Sequence, residues 1–281
     1  MIRLLRLRRI AQVAALLLLT VLPWLNRGGF TGMKGSLFAF DFFGLPFADP
    51  LGAAQVALSG IVPGWRLTVG AFAVLIVALC LGRIFCSWIC PFGFLSELVH
   101  GIRNKCPLKP LRHGFRSRAA IALLGLALVP LIGFPLLNQL SLPGGLSLGL
   151  LTAASPLSSK TIHTVLEHVL FFAVPFLPML AVLIAELATG RRLWCRWVCP
   201  QSVLLALMAR LPLAPRLQRT LSRCVCKGEP ACRRACPLGL DPRTPRSSSP
   251  LECTNCGACV LACSRIHGGG LSALELGKKK G

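Results

Sequence analysis

The sequence predicts an all-α membrane domain of four transmembrane helices, arranged as a parallel two-helix repeat, and a small cysteine-rich α+β segment after it. Of its 281 residues, 54% are apolar, and the mean hydropathy is +0.68. That excludes a disordered chain and an ordinary soluble protein. The net charge of +22 on so apolar a chain indicates basic loops beside a membrane. Eight of the 14 cysteines follow residue 213, where the apolar character ends.

Four apolar stretches approach the roughly 20 residues that a helix needs to cross a bilayer. They are Ile10–Leu25, Leu67–Gly82, Ala119–Gln139 and Thr164–Thr189. The first follows a run of arginines, as a signal peptide would, but no small-x-small cleavage site comes after it. We therefore expect an uncleaved first helix, a membrane domain over residues 1–213 and a cytoplasmic domain over residues 214–281.

Lysine and arginine are distributed unevenly between the loops. The N-terminus, the loop over residues 83–118 and the chain after residue 190 hold 27 of the 31. Because positive loops stay in the cytoplasm, we expect a multi-pass inner-membrane protein with both termini cytoplasmic. An even number of spans agrees with this. The basic charge then serves topology and contact with anionic lipid, and no nucleic-acid binding is expected.

A nine-residue motif occurs twice in the membrane domain. The stretch Arg83–Pro91 recurs as Arg192–Pro200 at an offset of 109, with both cysteines and one tryptophan kept in place. Each Cys-x3-Cys pair lies on one helical face, and the proline ends that turn. Both copies fall at the cytoplasmic end of a predicted span, so the repeats are parallel.

The paired cysteines of this motif are candidates for a metal site. Together the two copies provide four thiols, which suit an iron–sulfur cluster or zinc. The four are Cys86, Cys90, Cys195 and Cys199. The alternative is a repeated helix-end packing motif with small buried cysteines. Cys80, in a span, and Cys106, in a loop, are expected to be structural.

The C-terminal segment contains a cluster-binding run. The spacing Cys253-x2-Cys256-x2-Cys259-x3-Cys263 is the one that holds [4Fe–4S] clusters. It predicts a ferredoxin-like segment with two clusters. A zinc site is the alternative, because Cys-x2-Cys pairs also bind zinc. If these cysteines bind zinc, the protein would be a membrane scaffold without redox chemistry.

The partner run is irregular. Cys232-x3-Cys236-Pro237 matches the end of the standard run, and counting back gives Cys226 and Glu229, with Cys224 outside the register. Three interpretations are open. Cys224 supplies the missing ligand through a re-formed loop, or Glu229 binds iron through oxygen, or the site holds a three-iron or labile cluster. We favour Cys224.

In two-cluster ferredoxins the fourth cysteine of each run binds the other cluster. The first predicted ligand set is therefore Cys253, Cys256, Cys259 and Cys236. The second is Cys224, Cys226, Cys232 and Cys263.

Ionisable residues inside a span are functional candidates, because they can accept protons. The weak candidates of this kind are His163, Glu167 and His168, near the outer end of the fourth predicted span. The alternative places them among lipid headgroups. Glu186, at the inner end of that span, is expected to pair with Arg191 or Arg192.

These features together resemble the NapH/MauN ferredoxin-type membrane proteins. The resemblance covers nearly the whole chain and includes the Asp49-Pro50-Leu51 loop and both Cys-x3-Cys-Pro motifs. It implies a quinol dehydrogenase component that works with a partner ferredoxin or cytochrome, in periplasmic nitrate reduction or methylamine utilisation. Because quinol oxidation releases protons, His163, Glu167 and His168 are then the weak candidates for a quinone site. A role in maturation of a periplasmic redox enzyme is the alternative. The chain departs from the regular NapH pattern between Cys224 and Cys232.

Overall fold

The computed structural model is mostly helical, with two small sheets. It describes the chain except residues 1, 30–31, 37, 103–113, 136, 139–140, 155–175, 191, 212–215, 221, 223, 227, 229, 245–248, 250, 268–272 and 278–281. The α-helices are α1 (Ile2–Arg27), α2 (Pro50–Leu58), α3 (Trp65–Leu81), α4 (Ile84–Trp88), α5 (Pro91–Ile102), α6 (Gly114–Ile132), α7 (Leu142–Ala154), α8 (Leu177–Thr189), α9 (Gln201–Met208), α10 (Ala231–Arg234) and α11 (Ala258–Ile266). The strands are β1 (Met33–Gly35), β2 (Ala39–Phe42), β3 (Leu45–Ala48), β4 (Arg216–Arg219) and β5 (Leu274–Gly277), and a π-helix spans Trp194–Val198.

Two of the described helices are long and apolar enough to cross a membrane. They cover Arg6–Asn26 in α1 and Gly114–Ile132 in α6, and they correspond to the first and third predicted spans. The second predicted span corresponds to α3, which is a shorter apolar helix. Of the fourth predicted span the structure describes the part in α8, and residues 164–175 lie outside the described residues. The count of four spans stays a prediction.

The described residues form two compact units. One unit contains Ala14–Ile76 and Ile121–Ile184. In it, β1, β2 and β3 form an antiparallel sheet that was not predicted from the sequence. The helix α2 follows the sheet because Pro50 suits the first helical position and the Asp49 carboxylate accepts hydrogen bonds from the amides of Leu51 and Gly52, at 3.2 and 2.8 Å.

The other unit contains Met1–Val13, Val77–Ala120 and Ala185–Gly281, and therefore both repeated motifs and the whole C-terminal segment. Within it, the helices α3 and α8 each end before a glycine, Gly82 and Gly190, with φ of 63° and 65°. That left-handed conformation costs glycine little and turns the chain sharply out of the helix. Each motif begins within three residues of its glycine.

The two motifs share a backbone feature. The amide of Cys90 donates to the carbonyl of Phe85 at 3.0 Å, and the amide of Cys199 donates to the carbonyl of Trp194 at 2.9 Å. These residue pairs are related by the offset of 109, and each bond spans five residues. A turn this wide is rare and often accompanies a functional site. The sequence repeat is therefore also a repeat of local structure.

The C-terminal segment is small and mixed in structure. Strands β4 and β5 pair antiparallel, with Arg216 opposite Gly277. The core consists of Cys232, Cys259, Val260, Cys263, Ala273 and Leu274, packed against Leu217 and Cys224. Half of the buried core positions are thus cysteines. A boundary at residue 213 between two independent domains stays a prediction.

Candidate functional site

Four cysteines from both C-terminal runs surround one cavity, which we name the Cys253 cavity. Cys253, Cys256 and Cys259 come from the regular run, and Cys236 comes from the end of the irregular run. Leu217, Leu238 and Leu240 contribute apolar side chains to the remaining wall, which also includes Thr254 and Asn255. The structure therefore brings together the first predicted ligand set.

The loop at this cavity has the backbone geometry of a ligand cradle. Asn255 and Gly257 have φ of 52° and 77°, so the chain curls between successive cysteines. The amide of Asn255 donates to the sulfur of Cys253 at 3.4 Å. Gly257 is the N-cap of α11, which carries Cys259 in its first turn. A tight loop with an N–H group directed at sulfur fits an anionic cluster.

A second cavity, the Cys224 cavity, contains the other four cysteines of the segment. Cys224, Cys226 and Cys232 line it together with Cys263. Arg243 and His267 also lie at its wall. The structure thus places Cys224 beside the second predicted set, as the hypothesis of a re-formed loop expects. Glu229, the competing ligand, lies outside the described residues.

The helix α11 connects the two cavities. Cys259 lines the first and Cys263 lines the second, one helical turn apart on the same helix. Both are buried, at 8% exposure. The last cysteine of each run, Cys236 or Cys263, lines the cavity that the other run forms. The arrangement of the two runs is therefore crossed.

The electrostatics of these thiols fit metal binding. Burial, and then the neighbouring Cys256, raise the pKa of Cys236 to about 12. Burial raises the pKa of Cys253 to about 11, again with a contribution from Cys256. Burial and Asp241 raise the pKa of Cys232 to about 11. Such thiols stay protonated without a cation, whereas iron displaces the proton and stabilises the thiolate.

The four cysteines of the repeated motif also lie together. Burial and the nearby Cys195 and Cys86 raise the pKa of Cys90 and Cys199, the latter to about 12. In the described part of the chain no cysteine forms a disulfide, and no three His, Cys, Asp or Glu side chains meet closely enough to hold a single metal ion. A cluster differs from a single ion because its ligands contact separate corners.

Buried arginines connect these motifs to the Cys253 cavity. Arg83 and Arg118, both 1% exposed, donate to the same carbonyl, that of Leu251, at 2.9 and 2.8 Å. Arg8, 2% exposed, donates to the carbonyl of Cys256 at 3.0 Å and to that of Ser87 at 2.9 Å. Arg8 precedes the first predicted span, Arg83 follows the second, and Arg118 precedes the third. The sequence analysis explained these charges by membrane topology alone. It missed that the arginines hold the Cys253 loop through hydrogen bonds.

A second buried arginine site lies at the start of the second motif. Arg192 donates to the hydroxyl of Ser96 at 3.1 Å and to the carbonyl of Gly93 at 2.8 Å. The Ser96 hydroxyl in turn donates to Glu186, whose other oxygen accepts from the amide of Trp194 at 3.0 Å. Glu186, which was expected to pair with Arg191 or Arg192, therefore meets Arg192 through Ser96 and not directly. Arg191 lies outside the described residues.

Close packing at Gly93 lets the two motifs approach. A Cβ at this position would lie 2.5 Å from the carbonyl oxygen of Cys86 and 3.3 Å from the Arg192 guanidinium. A glycine is therefore required for α5 to pack against the first motif while Arg192 reaches across.

The remaining predicted residues lie apart from these cysteine groups or outside the described residues. The quinone-site candidates His163, Glu167 and His168 lie outside the described residues, as does Cys106. Cys80 is exposed on α3 and joins none of the cysteine groups.

The comparison with protein families matches the two segments that contain the repeated motif. A family model described as "4Fe-4S binding domain" matches residues 62–109 and 170–220. Each match contains one Cys-x3-Cys-Pro motif, so one model recognises both copies of the repeat. No solved structure shows a significant match.

Curated relatives cover nearly the whole chain. The ferredoxin-type protein NapH of Escherichia coli K12 is 28% identical over 92% of this chain and 85% of its own length. The methylamine utilization ferredoxin-type protein MauN of Methylorubrum extorquens is 27% identical over 93% of this chain and 75% of its own length. MauN of Paracoccus denitrificans is 28% identical over 82% of this chain and 75% of its own length.

The chain is similar to the NapH and MauN ferredoxin-type proteins over most of its length, which confirms the resemblance predicted from the sequence. The names of these relatives agree with the cysteine runs and the two four-cysteine cavities of the C-terminal segment. The long apolar helices α1 and α6, together with the likeness to NapH, support membrane association.

Proposed function

We propose that this protein is a membrane-bound iron–sulfur electron-transfer protein, and that it passes electrons from quinol to a partner redox protein as a quinol dehydrogenase component. The observation that carries the proposal is the crossed placement of eight cysteines in two cavities. A packing role would not require the last cysteine of each run to cross to the other cavity. Two [4Fe–4S] clusters require it.

The proposed ligands are the two sets that line the cavities. Cys236, Cys253, Cys256 and Cys259 would hold one cluster, and Cys224, Cys226, Cys232 and Cys263 would hold the other. When bound, such clusters accept and donate single electrons. The chain's own part is to hold the thiolates, exclude water with the leucines of the cavity wall, and keep the two sites one helical turn apart through α11.

The proposed topology has four spans and two cytoplasmic termini. In the unit that contains the C-terminal segment, Arg8 near the start of α1 and Arg83 after α3 both donate to residues of the Cys253 loop. Arg118 at the start of α6 does the same, and Arg196 after α8 donates to Leu238. These arginines lie before the first and third predicted spans and after the second and fourth. Such ends lie on the same side of a membrane when successive helices cross it in opposite directions. Arginines there agree with the positive-inside rule.

Quinol oxidation releases two electrons and two protons, so the membrane part must also receive protons. His163, Glu167 and His168 remain the candidates for this step, on the sequence argument alone. On the cytoplasmic side, the basic C-terminal segment would favour an acidic partner, such as a ferredoxin or a cytochrome subunit.

The test is anaerobic reduction of the purified, iron-loaded protein by a water-soluble quinol, followed by absorbance and EPR. Dithionite gives the full reduction for comparison. We expect quinol to reduce part of the iron, and variants C253S and C226S each to lose about four irons, one cluster each. The matched control C80S should lose none.

The outcomes separate the parts of the proposal. Zinc in place of iron in the purified protein would refute iron–sulfur electron transfer altogether. Iron that dithionite reduces and quinol does not would refute the quinol step, and would leave the maturation role that the sequence also allows.

A further inference from the structure

The repeated motif contains four partly buried cysteines that line neither of the two cavities of the C-terminal segment. Cys86, Cys90, Cys195 and Cys199 each come from a Cys-x3-Cys-Pro motif, and the two copies contribute two each. Arg192 of the second copy donates to the carbonyl of Gly93, two residues after Pro91, at 2.8 Å and to the sulfur of Cys195 at 3.7 Å. The rings of Phe92 and Trp194 also contact edge to face, with centroids 6.4 Å apart. The two copies of the repeat therefore meet at one place.

The backbone of both motifs is shaped alike around these thiols. In each copy the second cysteine closes a five-residue hydrogen bond, from Cys90 to Phe85 and from Cys199 to Trp194. A helix end that had evolved only for packing would not need the same wide turn twice. Two equal turns provide two equal pairs of ligands.

Positive charge is buried beside the thiols without a direct ion pair. Arg83 and Arg192 are 1% and 3% exposed, and neither forms a direct ion pair with a carboxylate in the described part of the chain. Glu186 reaches Arg192 only through the hydroxyl of Ser96. Arg192 instead donates to the sulfur of Cys195 at 3.7 Å. A buried guanidinium is costly unless an anion compensates it.

The second copy of the motif also contains buried hydrogen-bond donors that have no acceptor in the described part of the chain. Nη1 of Arg192 and Nε1 of both Trp194 and Trp197 are buried and have no hydrogen-bond partner among the described residues. Buried donors are nearly always satisfied, so several together point to a missing acceptor. Neutral thiols are poor acceptors and would leave the arginines uncompensated. An anionic centre would satisfy both the charges and the donors.

We propose that Cys86, Cys90, Cys195 and Cys199 together hold one further iron–sulfur cluster, shared between the two repeats, and that Arg192 stabilises its negative charge through the sulfur of Cys195. The inference rests on the proposed function, because it extends the same kind of electron carrier to the membrane side. A [4Fe–4S] cluster held by four thiolates carries net negative charge, which Arg83 and Arg192 would offset. A single zinc ion fits less well, because no three of these side chains meet around one point.

The first test counts iron in the full-length protein, purified in detergent without oxygen. We expect about twelve irons in the wild type, four for each of three clusters. Because the cluster is shared, C86S and C195S should each remove about four, and the double variant C86S/C195S should remove no more than either alone. The exposed Cys80 provides the matched control, C80S, which should remove none.

The second test uses spectroscopy and does not depend on a variant's iron content. Redox titration followed by EPR should separate a third signal from the two of the C-terminal segment. R192Q should shift the midpoint potential of that signal alone to lower values, because loss of a positive donor disfavours the more negative reduced state. R192K should restore part of the shift, and R66Q, at an exposed arginine, should have no effect.

Several results would overturn the inference. About eight irons in the wild type, unchanged in C86S/C195S, would show that the motif holds no cluster. Stepwise loss in the single and double variants would refute sharing, and zinc on these thiols would refute the cluster. An unshifted third signal in R192Q would refute the role of Arg192. If instead C253S and C226S leave the iron unchanged, the proposed function fails by itself.

Discussion

Replacing Arg83 by methionine should loosen the attachment of the Cys253 loop to the first motif. The guanidinium is 1% exposed and donates to the carbonyl of Leu251 at 2.9 Å. A hydrogen bond from a charged group contributes about 1.5–3 kcal/mol. The carbonyl keeps a second donor, Arg118, so no acceptor is left unsatisfied. The expected cost of R83M is therefore that of one charged hydrogen bond.

The same argument predicts a larger effect at Arg118. This side chain also lies 3.4 Å from Glu252, whose side chain is 17% exposed, and it donates to the carbonyl of Cys195 at 3.2 Å. Its loss leaves a largely buried carboxylate with the amide of Phe115 but without its cation. The cost then approaches the roughly 3–5 kcal/mol for breaking a buried ion pair. R118M should thus destabilise the loop more than R83M.

Hydrogen exchange of the peptide that contains residues 251–257 measures this difference. For R83M, exchange should be faster by about 10- to 150-fold, the ratio that corresponds to 1.5–3 kcal/mol. Because both arginines share one acceptor, the double variant should deviate from additivity. The matched control is R66M, at an arginine with 64% side-chain exposure. Equal exchange in R83M and R66M, or a larger effect of R83M than of R118M, would refute the reasoning.

Three further predictions concern packing, ligands and pH. G93A should lower the thermal stability and the iron content, because its Cβ would lie 2.5 Å from a carbonyl oxygen, whereas G101A, where nothing lies within 4 Å, should not. C224S should lose about four irons while E229Q loses none, and the reverse would show that the carboxylate is the ligand. Burial lowers the pKa of His100, so the unfolded state takes up a proton first as pH falls below 6.5. The melting temperature should therefore drop from pH 7.5 to 6 in the wild type and drop less in H100Q; equal drops would contradict it.

The chemistry of the C-terminal segment could be predicted from spacing alone. A ligand run has fixed offsets because each cysteine must reach a corner of a cube of fixed size, so the four cysteines from Cys253 to Cys263 are recognisable by their spacing. The irregular run needed the fold. Only the position of Cys224 on the wall of the second cavity places it beside Cys226, Cys232 and Cys263.

The sheet of β1, β2 and β3 was missed for a different reason. Its strands have three or four residues, and neither β2 nor β3 alternates between buried and exposed positions. Periodicity is the main signal for a strand, and so short an element has none. The roles of Arg8, Arg83 and Arg118 were hidden because the positive-inside rule already explained their charge, and only tertiary contacts reveal what a buried cation binds.

The contacts also give the cysteine groups an order. The four motif cysteines adjoin the Cys253 loop, because Arg83 and Arg118 from one side hold the carbonyl two residues before Cys253. The Cys253 cavity adjoins the Cys224 cavity through one turn of α11. If all three groups hold clusters, the Cys253 cavity lies where it can relay electrons between the other two. C253S should then slow transfer to a partner even when the other clusters remain intact.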